Sequence, residues 1–88
     1  MKNKKIKNGE HITKWRNGNN AVIAHYKDGI LDGEYKAFHK NGQLAWTVNY
    51  DAGISEGEAI EYDEDGKVLH RCFYVHGKVS KIKYAGKH

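Results

Sequence analysis

The sequence predicts an all-β fold: an antiparallel β-meander of about seven strands, drawn out as an elongated single sheet from three repeats of 24 residues. Three observations carry that prediction. Nine of the ten glycines fall on three phases of one period: Gly9, Gly33 and Gly57; Gly18, Gly42 and Gly66; Gly29, Gly53 and Gly77. Self-similarity at a fixed spacing of this size marks a repeat architecture. The segments between them alternate apolar and polar residues with the period of two of a half-buried strand. The 88 residues contain no proline, which would interrupt an interior ladder.

Each repeat reads as two strands and two turns. In the second copy Gly33–Phe38 leads to Asn41-Gly42, then Leu44–Tyr50, then Ala52-Gly53. Asn-Gly is the strongest short hairpin signal, because both residues tolerate the positive φ of a tight turn. Asn17-Gly18 and Asp65-Gly66 hold the same phase, and Asp28-Gly29 and His76-Gly77 match the second turn. The expected strands lie near 11–16, 20–27, 34–39, 43–50, 58–63, 67–75 and 78–84. Short sequential turns leave no room for crossovers, so neighbouring strands pair antiparallel. Leu44, Trp46, Val48 and Tyr50 share one face with Val22, Ala24, Tyr26, Val68, Cys72 and Tyr74, and Ile12, Phe38, Ile60 and Tyr62 are expected to join them. Tyr26, Tyr50 and Tyr74 recur at the repeat spacing and are expected to be buried along that face.

The domain is expected to span residues 9–88, with copies at 9–32, 33–56 and 57–80 and a partial cap at 81–88, preceded by a basic arm at 1–8. One domain suits this length, and a chain this short has little interior from which to carve a catalytic cleft. Charge is uneven. Residues 1–32 carry a net +4, residues 33–56 carry −1, residues 57–80 carry −2 and the last eight carry +3. No apolar stretch follows the lysines of the first seven residues, and no run approaches the ~18 apolar residues of a spanning helix. A single cysteine, Cys72, allows no internal disulfide, so a cytoplasmic home is expected.

At this point the residues resemble a known family. The unit Gly-Glu-x-x-x-aromatic-x-x-x-Gly-x-(Leu/Val)-x-x-x-x-x-Tyr-x-x-Gly is similar to the MORN-repeat variant, as found in YwqK-type bacterial antitoxins. Copies two and three match from Gly33 to Gly53 and from Gly57 to Gly77. Copy one keeps Gly9, Glu10, Gly18, Tyr26 and Gly29, but Lys14 holds the aromatic's phase and Trp15 follows it, so its first strand is expected to be bulged or irregular. The motif consists of turn glycines and packing aromatics. The scaffold residues it implies are Gly33, Gly42, Gly53, Gly57, Gly66, Gly77, Tyr26, Tyr50 and Tyr74. It implies a binding module of antitoxin type and carries no catalytic residue.

Three groups of residues are candidates for chemistry. The six histidines hold no shared repeat phase and no helical i, i+4 spacing, so satisfied or exposed histidines are preferred to a metal site. Glu56, Glu58, Glu61, Asp63, Glu64 and Asp65 crowd six carboxylates into ten residues. A calcium loop needs ligands closing on a later Glu, and Lys67-Val68-Leu69 supplies none. Cys72 falls on the inward phase and reads as a small buried hydrophobe, with His70 badly aligned as a base. No metal, cofactor or catalytic activity is therefore expected.

The departures from the repeat point to binding instead. Trp46, Trp15, Tyr35 and Arg71 break the pattern, and Trp, Tyr and Arg are the types enriched at interface hot spots. Together with Glu64 and Asp63 they are the expected partner-binding residues. The expected partner is another protein, a toxin or defence enzyme, neutralised by stoichiometric occlusion in the manner of an antitoxin, immunity or phage counter-defence protein. A homodimer through a sheet edge or face is a further expectation. The alternative is a peripheral membrane or nucleic-acid-binding module using the Lys-rich ends.

Overall fold

A computed structural model describes residues 8–84. They form one open antiparallel sheet of eight strands and, among the described residues, no helix. The strands are β1 (Asn8–Lys14), β2 (Asn20–Lys27), β3 (Ile30–Leu31), β4 (Gly33–Phe38), β5 (Leu44–Asp51), β6 (Ile54–Tyr62), β7 (Val68–Val75) and β8 (Lys78–Tyr84). Strand order along the sheet is β1-β2-β4-β5-β6-β7-β8, with β3 paired to β2. The sheet is a meander of seven positions, as the period implies. The eighth strand is a fragment: Ile30–Leu31 and Gly33–Phe38 together correspond to the continuous β6, which begins at Ile54 rather than near residue 58. The molecule measures 52 × 35 × 16 Å, the thickness of one sheet with its side chains. Residues 1–7 of the basic arm and 85–88 of the expected cap lie outside the described residues.

The two turns of each repeat differ in construction. At Asp28-Gly29, Ala52-Gly53 and His76-Gly77 both residues have positive φ, 51–53° followed by 81–86°, the mirror-image turn that matches strand twist. Asn17-Gly18, Asn41-Gly42 and Asp65-Gly66 do not follow that expectation, since only the glycine has positive φ there. Trp15, His39 and Asp63 each accept at the carbonyl from the amide of that glycine, 2.9–3.0 Å away. This is a three-residue hairpin loop closed by a left-handed glycine. The bulge expected for copy one is present after Thr13, but it recurs after Ala37 and Glu61. It belongs to the hairpin itself, and Trp15 does not cause it.

Cross-strand register fixes the faces. Ala24, Val48 and Cys72 share one phase and pair with His11, Tyr35 and Ala59. Ala24, Val48, Ala59 and Cys72 are each at most 3% exposed and are the only fully buried apolar side chains among the described residues. Tyr35, Trp46, Tyr50 and Tyr74 pack against Val48, Ala59 and Cys72 of this row. Ile12 and Ile60, expected on the same face, lie on the other one: Ile12 pairs with Ile23, and Ile60 with Arg71 and Thr47. The bulge at each hairpin shifts the register after Thr13, Ala37 and Glu61, so the parity of a first strand cannot be counted back through it.

Tyr26, Tyr50 and Tyr74 do recur along the core face, each directly opposite Gly9, Gly33 or Gly57. They are half-buried rather than buried. Nothing lies above these rings, because a single layer has no opposing surface. Tyr50 meets Tyr35 edge-on at 5.9 Å between ring centroids, and Tyr26 meets His11 likewise at 6.4 Å. Burial, and then the neighbouring Cys72, raises the Tyr74 phenol above its ordinary value.

Two stability measurements check this packing. Tyr50→Ala should cost about 2–3 kcal/mol in urea unfolding, below the ~3–5 kcal/mol of a fully buried aromatic because the ring is only half-buried. It should cost more than Tyr26→Ala, because Tyr50 also covers the Val48 row. Gly53 and Gly57 share a positive φ, but a Cβ at Gly53 would fall 2.9 Å from Ile30 Cγ2, whereas none lies within 4 Å at Gly57. Gly57→Ala should show only the conformational penalty of roughly 1–2 kcal/mol, and Gly53→Ala should exceed it.

Candidate functional site

The side chains between copies are ordered by backbone carbonyls. Trp15 Nε1 donates to Phe38 O at 3.0 Å, and His39 Nε2, one copy on, donates to Tyr62 O at 2.9 Å. Asn17 Nδ2 donates to Lys40 O at 2.8 Å, and Asn41 Nδ2 donates to Glu64 O at 2.9 Å. The same Asn side chains cap their own turns, with Oδ1 accepting from Asn19 N or Gln43 N. Each is worth about 1 kcal/mol where water is partly excluded. Together they tie the hairpin edge, residues 13–19, 37–43 and 61–67, from copy to copy.

The opposite edge has its own tie, which the sequence reading missed. Asn8 Oδ1, Asp32 Oδ1 and Glu56 Oε2 accept from the backbone amides of Asp28, Ala52 and His76 at 3.1, 2.9 and 2.8 Å. These amides belong to the left-handed residues of the tight turns. The available signal was an acceptor side chain immediately before Gly9, Gly33 and Gly57 in every copy. Gly53 N and Gly77 N complete the edge by donating to Leu31 O and Ser55 O at 2.7 and 2.9 Å.

The expected partner-binding residues fall into three places. Tyr35 and Trp46 lie on the core face, half-buried and packed on the same buried row. Arg71 lies on the other face, where its Nε stands 3.3 Å from Glu58 Oε2 in an ion pair whose geometry falls short of a hydrogen bond. Trp15, Asp63 and Glu64 lie along the hairpin edge. Trp15 is pinned through its indole N–H, and Lys40 Nζ sits over its ring, 5.5 Å from the centroid. An open hollow of about 450 Å³ lies between Trp15, Arg16, Asn17 and Lys40, and another of about 340 Å³ lies along the turn edge beside Asp28, Asp32 and Asp51. The structure thus brings Tyr35 and Trp46 together and leaves Arg71 apart from both.

Among strands β1–β7, the residues in register on the core face carry one formal charge, that of Glu61 opposite Trp46 and His70. The other face mixes charge and hydrocarbon: Glu34 and Lys36 pair at 3.6 Å, and Ile12 is exposed. The histidines are dispersed. His11 meets Tyr26, His39 is bonded to Tyr62 O, and His76 lies 3.9 Å from Glu56. Among the described residues no three His, Cys, Asp or Glu side chains gather within reach of one ion. No helix there is long and apolar enough to cross a membrane.

Asp63 ends the series of carbonyl-seeking side chains. One carboxylate oxygen accepts from Asp65 N at 2.8 Å and Lys67 N at 2.9 Å, closing the last hairpin from within. The Lys67 amide first, and then the Asp65 amide, hold its acid below the ordinary 3.8. A lowered folded-state value contributes stability above the unfolded value, and that contribution is lost as pH falls through the folded one. Urea midpoints taken from about pH 6 to pH 3 should therefore decline below about pH 4, with a shallower decline for Asp63→Asn, which keeps the acceptor without the titration.

Residues 31–52 and 55–76 match the pattern that defines the MORN repeat variant, and these are the two copies whose turns and tyrosines are most regular. No curated protein and no solved structure matches the chain. With half of its length matched and the period of 24 carried by every turn of the sheet, the chain belongs to the MORN-repeat variant family.

Proposed function

We propose that this chain is a protein-binding module that acts stoichiometrically, covering part of a partner protein without chemically changing it. The observation that carries this reading is the core face: Tyr35, Trp46, Tyr50 and Tyr74 stand half-exposed over a row of small buried residues on a sheet with no second layer. Half-exposed rings held by their own packing lose little freedom when a partner covers them, and aromatic anchors dominate interface energy. The hollows are open and lie at the edges, away from that face. Affinity then comes from area and a few anchors, with Trp46 and Tyr35 first among them. The partner class we favour is a toxin or defence enzyme in the same cytoplasm, neutralised by occlusion as by an antitoxin; Cys72, free and buried, is suited to a reducing compartment.

Calorimetric titration against a partner recovered from the host tests this. Binding and loss of the partner's activity should saturate near one equivalent. Trp46→Ala should weaken the complex by about 2 kcal/mol with the β spectrum intact. Inhibition complete far below one equivalent would mean turnover and defeat the proposal. A binding constant that collapses with salt but ignores Trp46→Ala would move the contact to the Lys-rich ends.

A further inference from the structure

Among the described residues the sheet ends in two free edge strands, β1 and β8, because a one-layer meander does not close. An edge strand offers unpaired N–H and C=O groups to any strand that can lie beside it, and natural sheets blunt such edges with lysine. β8 is blunted in that way: Lys78, Lys81 and Lys83 fall within its seven residues and no acid does. β1 is built differently. Its run Glu10-His11-Ile12-Thr13-Lys14 carries one acid and one base at its ends, and Ile12 between them is 42% exposed. Neither Glu10 nor Lys14 forms an ion pair among the described residues.

We infer that β1 pairs antiparallel with β1 of a second copy of the chain, about a two-fold axis normal to the sheet at Ile12. The register follows from the strand itself. Directly opposed residues lie on one face, and this rotation keeps every residue on its own face, so the axis passes at a residue and not between two. The regular part of β1 runs from Glu10 to Lys14: Gly9 before it has a φ of 103°, and the extra residue of the hairpin bulge, Ala21, belongs to β2. Ile12 is the centre of that run. Pairing about it sets Glu10 opposite the second copy's Lys14, twice by symmetry, and His11 opposite Thr13, with Ile12 against its own mate. A shift to His11 sets Glu10 opposite Ile12, and a shift to Thr13 sets Lys14 opposite Ile12, so both lose the Glu10–Lys14 pairs. Opposed side chains stand ~5 Å apart at Cβ, where opposite charges attract. Because Ile12 also faces Ile23 within its own chain, the pairing draws four isoleucines into one row across the joint. The joined sheet has twice the seven strand positions, with both core faces on one side. It closes on itself and leaves only the lysine-blunted β8 at either end. Five residues of ladder bury less than the ~800 Å² per partner of a standard interface, so the dimer belongs among weak complexes, with a Kd of roughly 0.1–1 mM.

The pairing is measured on the purified chain alone, so its failure leaves the partner-binding proposal standing. Translational diffusion by NMR should slow from the monomer towards the dimer value between about 0.05 and 2 mM chain. Over the same range the outward amides of β1 should exchange with deuterium more slowly, while those of β8 stay unchanged. Glu10→Lys and Lys14→Glu should each weaken the dimer about fivefold or more, because symmetry presents the altered pair twice. In an equimolar mixture of the two variants the mixed dimer should regain the native affinity within about twofold, since lysine then faces glutamate at both pairs. Both variants stay net positive from the native +4, so long-range charge cannot draw them together. Ile12→Lys should give a monomer, with circular dichroism reporting whether the sheet is kept. A native chain still monomeric at about 2 mM would overturn the dimer. Protection appearing on β8 in place of β1, or a folded Ile12→Lys variant that dimerises as before, would move the contact off this edge. Single exchanges without effect, or a mixture that stays weak, would sink the register.

Discussion

A sheet without a second layer can bury a side chain only by roofing it with neighbours on the same face. That constraint governs the rest of this structure. Directly beneath the roof there is space for small groups, and the buried row is Ala24, Val48, Ala59 and Cys72. The roof needs wide, flat side chains, and Tyr35, Trp46, Tyr50 and Tyr74 provide it. Being the roof, they remain half-exposed, so the groups that stabilise the fold are also those most ready to meet another surface.

So small an interior cannot hold seven strands by hydrocarbon burial alone. Cohesion falls to the ladder and to the two edges, where side chains reach from one copy to backbone groups of the next. Trp15 and His39 bind carbonyls on one side, and Asp32 and Glu56 bind turn amides on the other. Each tie joins nearest neighbours, the energetic pattern of a one-dimensional array. These side chains touch backbone, so the copies can vary in side chain without losing their joint. This is why Trp, His and Asp can occupy one phase.

Much of the fold was legible because glycine spacing reports backbone geometry directly. The order of strands, both turn positions and the faces of the second strands follow from it. The faces of the first strands did not: a bulge follows Thr13, Ala37 and Glu61 at each hairpin, and a parity count through it misplaces Ile12 and Ile60. Half-burial of the tyrosines was hidden too, since alternation marks which side a residue faces and not what stands above it. At the candidate site, Trp46 and Tyr35 stood out as breaks in the pattern, and they do share a face. Arg71 stood out equally and lies on the reverse side. Asn8, Asp32 and Glu56 escaped notice because three different residue types share only the ability to accept a hydrogen bond.

The change from Asn17 and Asn41 to Asp65, and from Trp15 and His39 to Asp63, gives the array a direction of growth. The first two copies offer N–H donors to the carbonyls of whatever copy follows, and the third offers carboxylates, which a carbonyl repels. Because Phe38 O and Tyr62 O are equivalent acceptors, a copy inserted or deleted in the middle meets the same joint. The array is thus adjustable from within, in steps of 24 residues, at the joints that Trp15 and His39 make.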